Sequence, residues 1–444
     1  MSWKDIYKSR LMTAQEAAKL VKTGDDFFTP VLLGQPSLPL MDAIADRKDE
    51  LKDVNYFNNH TLWPYKIFKP EYRDTFRLFF TFYSGLPHIQ AVAKSEWSNF
   101  FPVQSSNYGA LYAARKKAVN RRSGIITQVT PPDNHGFVNL GLDAFYTEDI
   151  MNVSEWAIAV VNPQLPRTCG ETSLHVSRFT AFVEDSFAVP VIPALKATDV
   201  EVQMAKNVMG LLRDRDCLQV GIGGVPAMIS TLLADANVKD LGVHSEMVPY
   251  GTPTLVEKGI ITGKYKKTNR GKIIVSFAMG DKASYDFLDN NPIVEFRQTS
   301  YSCDPCVIAQ EDNVVAINGS IEVDLTGQIV SDSIGTRMRS GVGGQLDFVI
   351  GAGWSKGGRA INLVPSTSNN DTISRIVPFI ANGTRVTVPR HFAGYVVTEY
   401  GIADLRVLSE NERAKALIKI AHPKFREDLE KAGRERGLLN KSIF

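Results

Sequence analysis

Leu241-Gly242-Val243-His244-Ser245-Glu246 is an apolar run that ends on a carboxylate, and Gly221-Ile222-Gly223-Gly224 follows a second apolar run, Cys217 to Val220. A strand running into a loop of small residues exposes main-chain N–H groups beyond the carboxyl edge of a parallel sheet, where ligands bind. Glu246 would face the same crevice. By itself it reads as an ordinary strand-end carboxylate. The glycine loop lacks the spacing of the dinucleotide fingerprint and of the P-loop, which argues against nucleotide hydrolysis.

Other chemistry-bearing residues are less organised. Cys303-Asp304-Pro305-Cys306 is a C-x-x-C, but zinc needs four ligands and Cys169 and Cys217 show no paired spacing, so no metal is expected and the segment reads as loop variation. His244 lies two residues before Glu246, and alternation along a strand favours a hydrogen-bonded structural role. His135 and His175 read as turn or packing residues, because nothing sets them beside a serine or cysteine nucleophile. The densest basic run, Lys258 to Lys272, reads first as a solvated hairpin and second as a phosphate contact. Without interleaved aromatics it is a poor nucleic-acid surface.

The elements that must position these groups come in two similar sets. Thr13-Ala14-Gln15-Glu16 is a capping box that predicts a helix to about Lys22; a strand over Phe27 to Leu33, a break at Gly34-Gln35-Pro36 and a helix over Leu38 to Leu51 follow. Thr198-Asp199-Val200-Glu201 starts the same order again, with Gly224-Val225-Pro226 matching Gly34-Gln35-Pro36. Asp133-Asn134-His135-Gly136 and Asp324-Leu325-Thr326-Gly327 are matching turns. The near-constant offset predicts a duplicated α/β unit, two similar open domains with largely parallel sheets, over 1–190 and 191–444, divided at Val189-Pro190-Val191-Ile192-Pro193. The residues from Ser409 onward should be helical, with a break at His422-Pro423.

Composition agrees. A chain of 444 residues exceeds one ordinary core, and 44% hydrophobic with 22% charged residues is globular composition. Lys and Arg number 50 against 48 Asp and Glu, so no global field draws nucleic acid or an anionic membrane. The N-terminus shows no signal-peptide pattern, no apolar run approaches the roughly 20 residues of a membrane span, and four cysteines form no disulfide framework. A cytoplasmic location is expected.

The glycine loop, His244-Ser245-Glu246-Met247 and Ser340-Gly341-Val342-Gly343-Gly344-Gln345-Leu346-Asp347-Phe348 occur in order. So do Pro131-Pro132-Asp133 to Gly136, Pro166-Arg167-Thr168 to Ser177, and Val397-Thr398-Glu399-Tyr400-Gly401 to Arg406. This ordered set resembles the acetyl-CoA hydrolase/transferase family, particularly its 4-hydroxybutyrate and butyryl-CoA:acetate CoA-transferase branch. The resemblance implies CoA transfer with Glu246 as nucleophile, and the N–H of Gly344 and the side chain of Asn290 as oxyanion donors. It implies an active site at the domain interface, with Gly221, Ile222, Gly223, Gly224, Gly343 and Glu399 lining the thioester site. It also implies no resident cofactor, acyl-CoA and small carboxylates as substrates, and a homodimer or dimer of dimers. The 4-hydroxybutyrate enzymes carry a histidine in the loop after the first strand; Pro30 stands at about that position here, which fits a short apolar acyl group equally well. Acyl-CoA hydrolysis at the same site is the nearest alternative. A non-catalytic CoA-binding subunit would be expected to lack Glu246 or the Gly343-Gly344 pair, and both are present.

Overall fold

Thr13 Oγ1 accepts from the N–H of Glu16, whose carboxylate accepts from the Thr13 N–H at 2.9 Å, capping α1 (Ala14–Ala18). The computed structural model describes residues 2–193 and 196–439. They divide into two units, Met1–Pro193 with Ile274–Ser302 and Arg339–Gly343, and Ala194–Ile273 with Cys303–Met338 and Gly344–Phe444. Two segments of the expected second half thus pack in the first unit.

In the first unit, β1 (Asp26–Phe28) is followed by α2 (Leu38–Ala45), β2 (Val54–Asn59), β3 (Phe76–Phe82), β4 (Ser98–Phe100), β5 (Ser123–Val129), β6 (Trp156–Val161) and β7 (Ala181–Glu184). These strands pair in the order β7-β6-β5-β1-β2-β3-β4, every pair parallel. Being covered on both faces, β1, β2, β5 and β6 are buried at every residue. The strand expected to reach Leu33 stops at Phe28. Pro30 has no N–H for a ladder, and Leu32 turns the chain at φ +44° into a short 3-10 turn over Leu32–Gly34. The helices are shorter than expected too: α1 ends in tightened turns after Ala18, and α2 gives way to turns beyond Ala45.

The second unit repeats the plan. Thr198 and Glu201 form the same capping box on α3 (Asp199–Met209). There follow β8 (Cys217–Val220), α4 (Gly224–Leu233), β9 (Gly242–His244), β10 (Val314–Gly319), α5 (Gln345–Trp354), β11 (Arg359–Leu363), β12 (Tyr395–Thr398) and β13 (Gly401–Asp404). They are ordered β13-β12-β11-β10-β8-β9, antiparallel only between β12 and β13. In each unit the second strand pairs on one side of the first, and a later strand, β5 or β10, pairs on its other side, from which β6 and β7, or β11 to β13, extend. The matching turns agree atom for atom. Asp133 Oδ1 accepts from the N–H groups of His135 and Phe137 at 2.8 and 2.9 Å, and Asp324 Oδ1 from those of Thr326 and Gln328 at 2.9 and 3.0 Å. Gly136 and Gly327 both take positive φ, +86° and +95°.

The C-terminal helices α6 (Glu410–Ile420) and α7 (Arg426–Glu435) are separated at His422-Pro423, where proline ends the first. Among the described residues no helix is long and apolar enough to cross a membrane. The core of the second unit joins Val314, Ala316, Phe348, Val349 and Val396 with Leu417 and Ile418 of α6.

Candidate active site

Register decides where the carboxylate of Glu246 emerges. Cys217 pairs with Gly242 and Leu218 with Val243, so β8 and β9 end side by side at the carboxyl edge. Gly221 leaves one strand and Glu246 the other, two residues past the end of β9. Glu246 is partly exposed, whereas His244, Ser245 and Met247 are buried. Two anchors hold β9. The Nζ of Lys266, itself 3% exposed, donates to the Val243 carbonyl at 2.8 Å and to that of Lys272 at 3.0 Å. His244 packs edge-on against Phe348 of α5, ring centres 6.4 Å apart.

The basic run is therefore structural in good part, and it is a loop with no paired strands of its own. Lys266 braces β9, Lys267 pairs with Asp312 at 2.7 Å, and Lys258 with Asp235 at 3.4 Å. Glu311 closes the loop by accepting from the N–H groups of Lys267 and Thr268.

Glu246 and Gly344 are brought together. A β-carbon on Gly344 would lie 2.8 Å from Glu246 Oε2 and 3.1 Å from its carboxyl carbon, so any side chain there would intrude on the carboxylate. Gly344 is the N-cap of α5 at φ −89°, and Gly343 before it takes φ +54°. The first turn of α5 therefore starts beside Glu246, where main-chain N–H groups and the helix dipole favour negative charge. The Cys303 Sγ lies 3.4 Å from the same β-carbon position. Sequence reasoning set this cysteine aside with its C-x-x-C. Its signal was adjacency in space, which spacing along the chain does not carry.

The glycine loop divides into separate tasks. Gly221 hugs β10: its N–H donates to Ile317 O at 2.9 Å, and an added β-carbon would stand 3.4 Å from Asn318 Oδ1. Ile222 is 41% exposed. Gly223 takes φ +140° as N-cap of α4. Gly224 packs on the capping carboxylate of Glu201, whose oxygen would meet an added β-carbon at 2.6 Å, so its glycine serves helix packing.

Glu399 follows β12, and its carboxylate accepts from the N–H of Ser366 at 3.0 Å and from the Ser366 hydroxyl. Asn290 lies in the first unit, exposed, at φ +51°. Its N–H donates to Arg167 O at 2.7 Å and its side-chain amide to Asp289 Oδ2 at 3.1 Å. His175 makes a local bond to Ser177 Oγ at 2.8 Å. Pro30, Val31 and Leu32 are buried after β1, and Tyr65, Phe76 and Phe80 are core of the first unit.

Comparison with known proteins adds three findings. Residues 280–433 match the family model of the acetyl-CoA hydrolase/transferase C-terminal domain. The 4-hydroxybutyrate coenzyme A transferase of Clostridium kluyveri is 37% identical over 97% of this chain and 98% of its own length, and the butyryl-CoA:acetate CoA-transferase of Anaerostipes caccae 35% identical over 97% of each. The crystal structure of RipA from Yersinia pestis superposes with a TM-score of 0.91 at 31% identity, over 99% of this chain and 100% of that one.

Proposed function

The chain belongs to the acetyl-CoA hydrolase/transferase family, and from that premise we propose that it moves coenzyme A from a short-chain acyl-CoA to a small carboxylate through a thioester on Glu246. It is a CoA-transferase, as its near full-length relatives are named. The observation that carries the residue assignment is the approach of the Glu246 carboxylate to the N-cap glycine of α5.

In this reading a Glu246 oxygen attacks the acyl carbonyl and the CoA thiolate leaves, giving an acyl-glutamyl anhydride. The thiolate then attacks the Glu246 carbonyl, releasing the donor's carboxylate and forming the glutamyl-CoA thioester. An acceptor carboxylate attacks that thioester, expels the thiolate and leaves a new anhydride; attack of the thiolate on the acceptor's acyl carbon yields the new acyl-CoA and free Glu246. The thioester bond is kept on the protein between half-reactions. Each addition develops an oxyanion. The Gly344 N–H is the first donor in this reading, and a preorganised donor of this kind lowers such a barrier by about 2.7–4 kcal/mol. Asn290 is the second, and its amide would exchange Asp289 for the thioester oxygen. The Gly221-to-Gly224 loop, Gly343 and Glu399 complete the surroundings. No resident cofactor, a cytoplasmic location and a homodimer or dimer of dimers belong to the same proposal. Pro30, at about the position where the 4-hydroxybutyrate enzymes carry a histidine, supports an apolar short-chain acyl group.

Intact-mass analysis tests the assignment. With acyl-CoA and no acceptor, the wild type should gain a CoA adduct and Glu246→Gln none, since the amide keeps volume and polarity but cannot form the anhydride. An adduct on the amide variant would overturn the role of Glu246. Steady release of free CoA without acceptor would assign the chain to hydrolysis. A panel of acyl-CoA donors with acetate as acceptor identifies the acyl group, and loss of turnover in Asn290→Ala decides the second donor.

A further inference from the structure

Four buried side-chain amides lie at the carboxyl edge of the second unit's sheet, three on strands and one at the start of α5. Gln219 of β8 and Asn318 of β10 bond reciprocally, Nε2 to Oδ1 at 3.1 Å and Nδ2 to Oε1 at 2.9 Å. Asn318 is the register partner of Asn362 on β11, which puts their side chains on one face. Asn362 is fully buried, and its Oδ1 accepts from Gln345 Nε2 at 3.3 Å. The same Gln345 nitrogen donates to Ser320 Oγ at 3.2 Å, just past the end of β10. Ser320 is fixed in turn by its N–H to Leu363 O at 2.8 Å.

Gln345 is the first residue of α5, directly after Gly344, and is 9% exposed. Burying a primary amide costs free energy unless its hydrogen bonds are made, so the partners on β10 and β11 dictate where this side chain sits. Glu246 is delivered by a different strand, β9. The position of the Gly344 main chain relative to the carboxylate therefore depends on how the start of α5 is tied to the strand ends. Local capping does not supply that tie: Gly344, the N-cap, has no side chain to accept from the first N–H groups of α5.

We propose that Gln345 is a positioning residue, which through Ser320 and Asn362 sets the first turn of α5 and with it the Gly344 N–H against Glu246. The inference rests on the reading of Glu246 as nucleophile and Gly344 as donor. Gln345 touches no reacting atom in it. Loss of the tie lets the turn drift, and misplacement by about 1 Å is enough to cost roughly a hundredfold in rate.

The experiment is single-turnover transfer of CoA from acyl-CoA to the protein, followed by intact mass, together with KM and thermal melting. Gln345→Met keeps length and removes the donor; it should slow adduct formation by about 10- to 100-fold with KM changed less than about twofold. Asn362→Leu removes one of the two bonds that Gln345→Met removes and should also slow adduct formation, and the double variant should be no slower than the slower single one, because the bond lost in Asn362→Leu is already lost in Gln345→Met. Asn362→Asp keeps an acceptor oxygen and should restore the rate to within about threefold of wild type. Should Gln345→Met fail to fold, Ser320→Ala and Asn362→Leu carry the same test. Rates within about twofold of wild type, or losses that multiply in the double variant, overturn the proposal. An adduct on Glu246→Gln overturns the underlying reading instead; no adduct there with normal rates in Gln345→Met removes the positioning role alone.

Discussion

The Glu246 carboxylate stands 2.8 Å from the point where a β-carbon on Gly344 would lie, and this contact explains why a residue at φ −89°, a conformation open to any amino acid, is glycine. Gly344→Ala should therefore leave the fold intact and displace the carboxylate. Adduct formation should slow by about 10- to 100-fold with little change in melting temperature. Stopped-flow or quenched mass analysis reads the rate, and an unimpaired rate would show that the carboxylate has room to move.

Gly341 tells the opposite story, within the first unit. A β-carbon there would meet the Thr81 carbonyl oxygen at 2.2 Å and the Phe82 Cα at 3.0 Å, and main-chain atoms cannot step aside as a flexible side chain does. Gly341→Ala should cost about 1–3 kcal/mol of stability, measured by urea unfolding.

A buried ion pair supports the second unit. Arg359 at 3% side-chain exposure bonds Asp216 at 1%, and also donates to Leu211 O. Asp216→Ala leaves the guanidinium buried and unpaired, and should destabilise the protein by about 3–5 kcal/mol. Calorimetric melting checks this; a loss under about 1 kcal/mol would mean water replaces the partner.

Asp143 gives a pH signature. Burial pushes its carboxyl up to about 8, although the N–H groups of Val31 and Phe145 donate to it at 2.6 and 2.8 Å and favour the charged form. In the unfolded chain the group titrates near about 3.9. Between those values the native state holds a proton that the unfolded state has released, so stability is highest at low pH and falls as pH rises through about 8. Asp143→Asn removes the titration and should flatten that slope, while losing one of the two N–H acceptors. Melting curves from about pH 5 to about pH 9 for both proteins make the comparison; parallel slopes would place the titration elsewhere.

Local chemistry made much of the molecule legible in the sequence. The capping boxes at Thr13 and Thr198, the turns at Asp133 and Asp324, the strand Cys217–Val220 and the break at His422-Pro423 are each set by residues within a few positions of one another. The ordered motifs around Glu246 and Gly344 identified the chemistry for the same reason, since spacing along the chain is what a motif records. Element ends were less legible: β1 stops at Phe28 and α2 at Ala45, because Pro30, the left-handed Leu32 and tertiary packing override propensity. Tertiary structure alone decided that residues 274–302 pack with the first unit, that Lys266 of the basic run braces β9, and that Cys303 lies beside Gly344. It also decided that Gln345 is tied to Ser320 and Asn362. Such pairings join residues distant along the chain, and only the register of β8, β9, β10 and β11 brings them within reach.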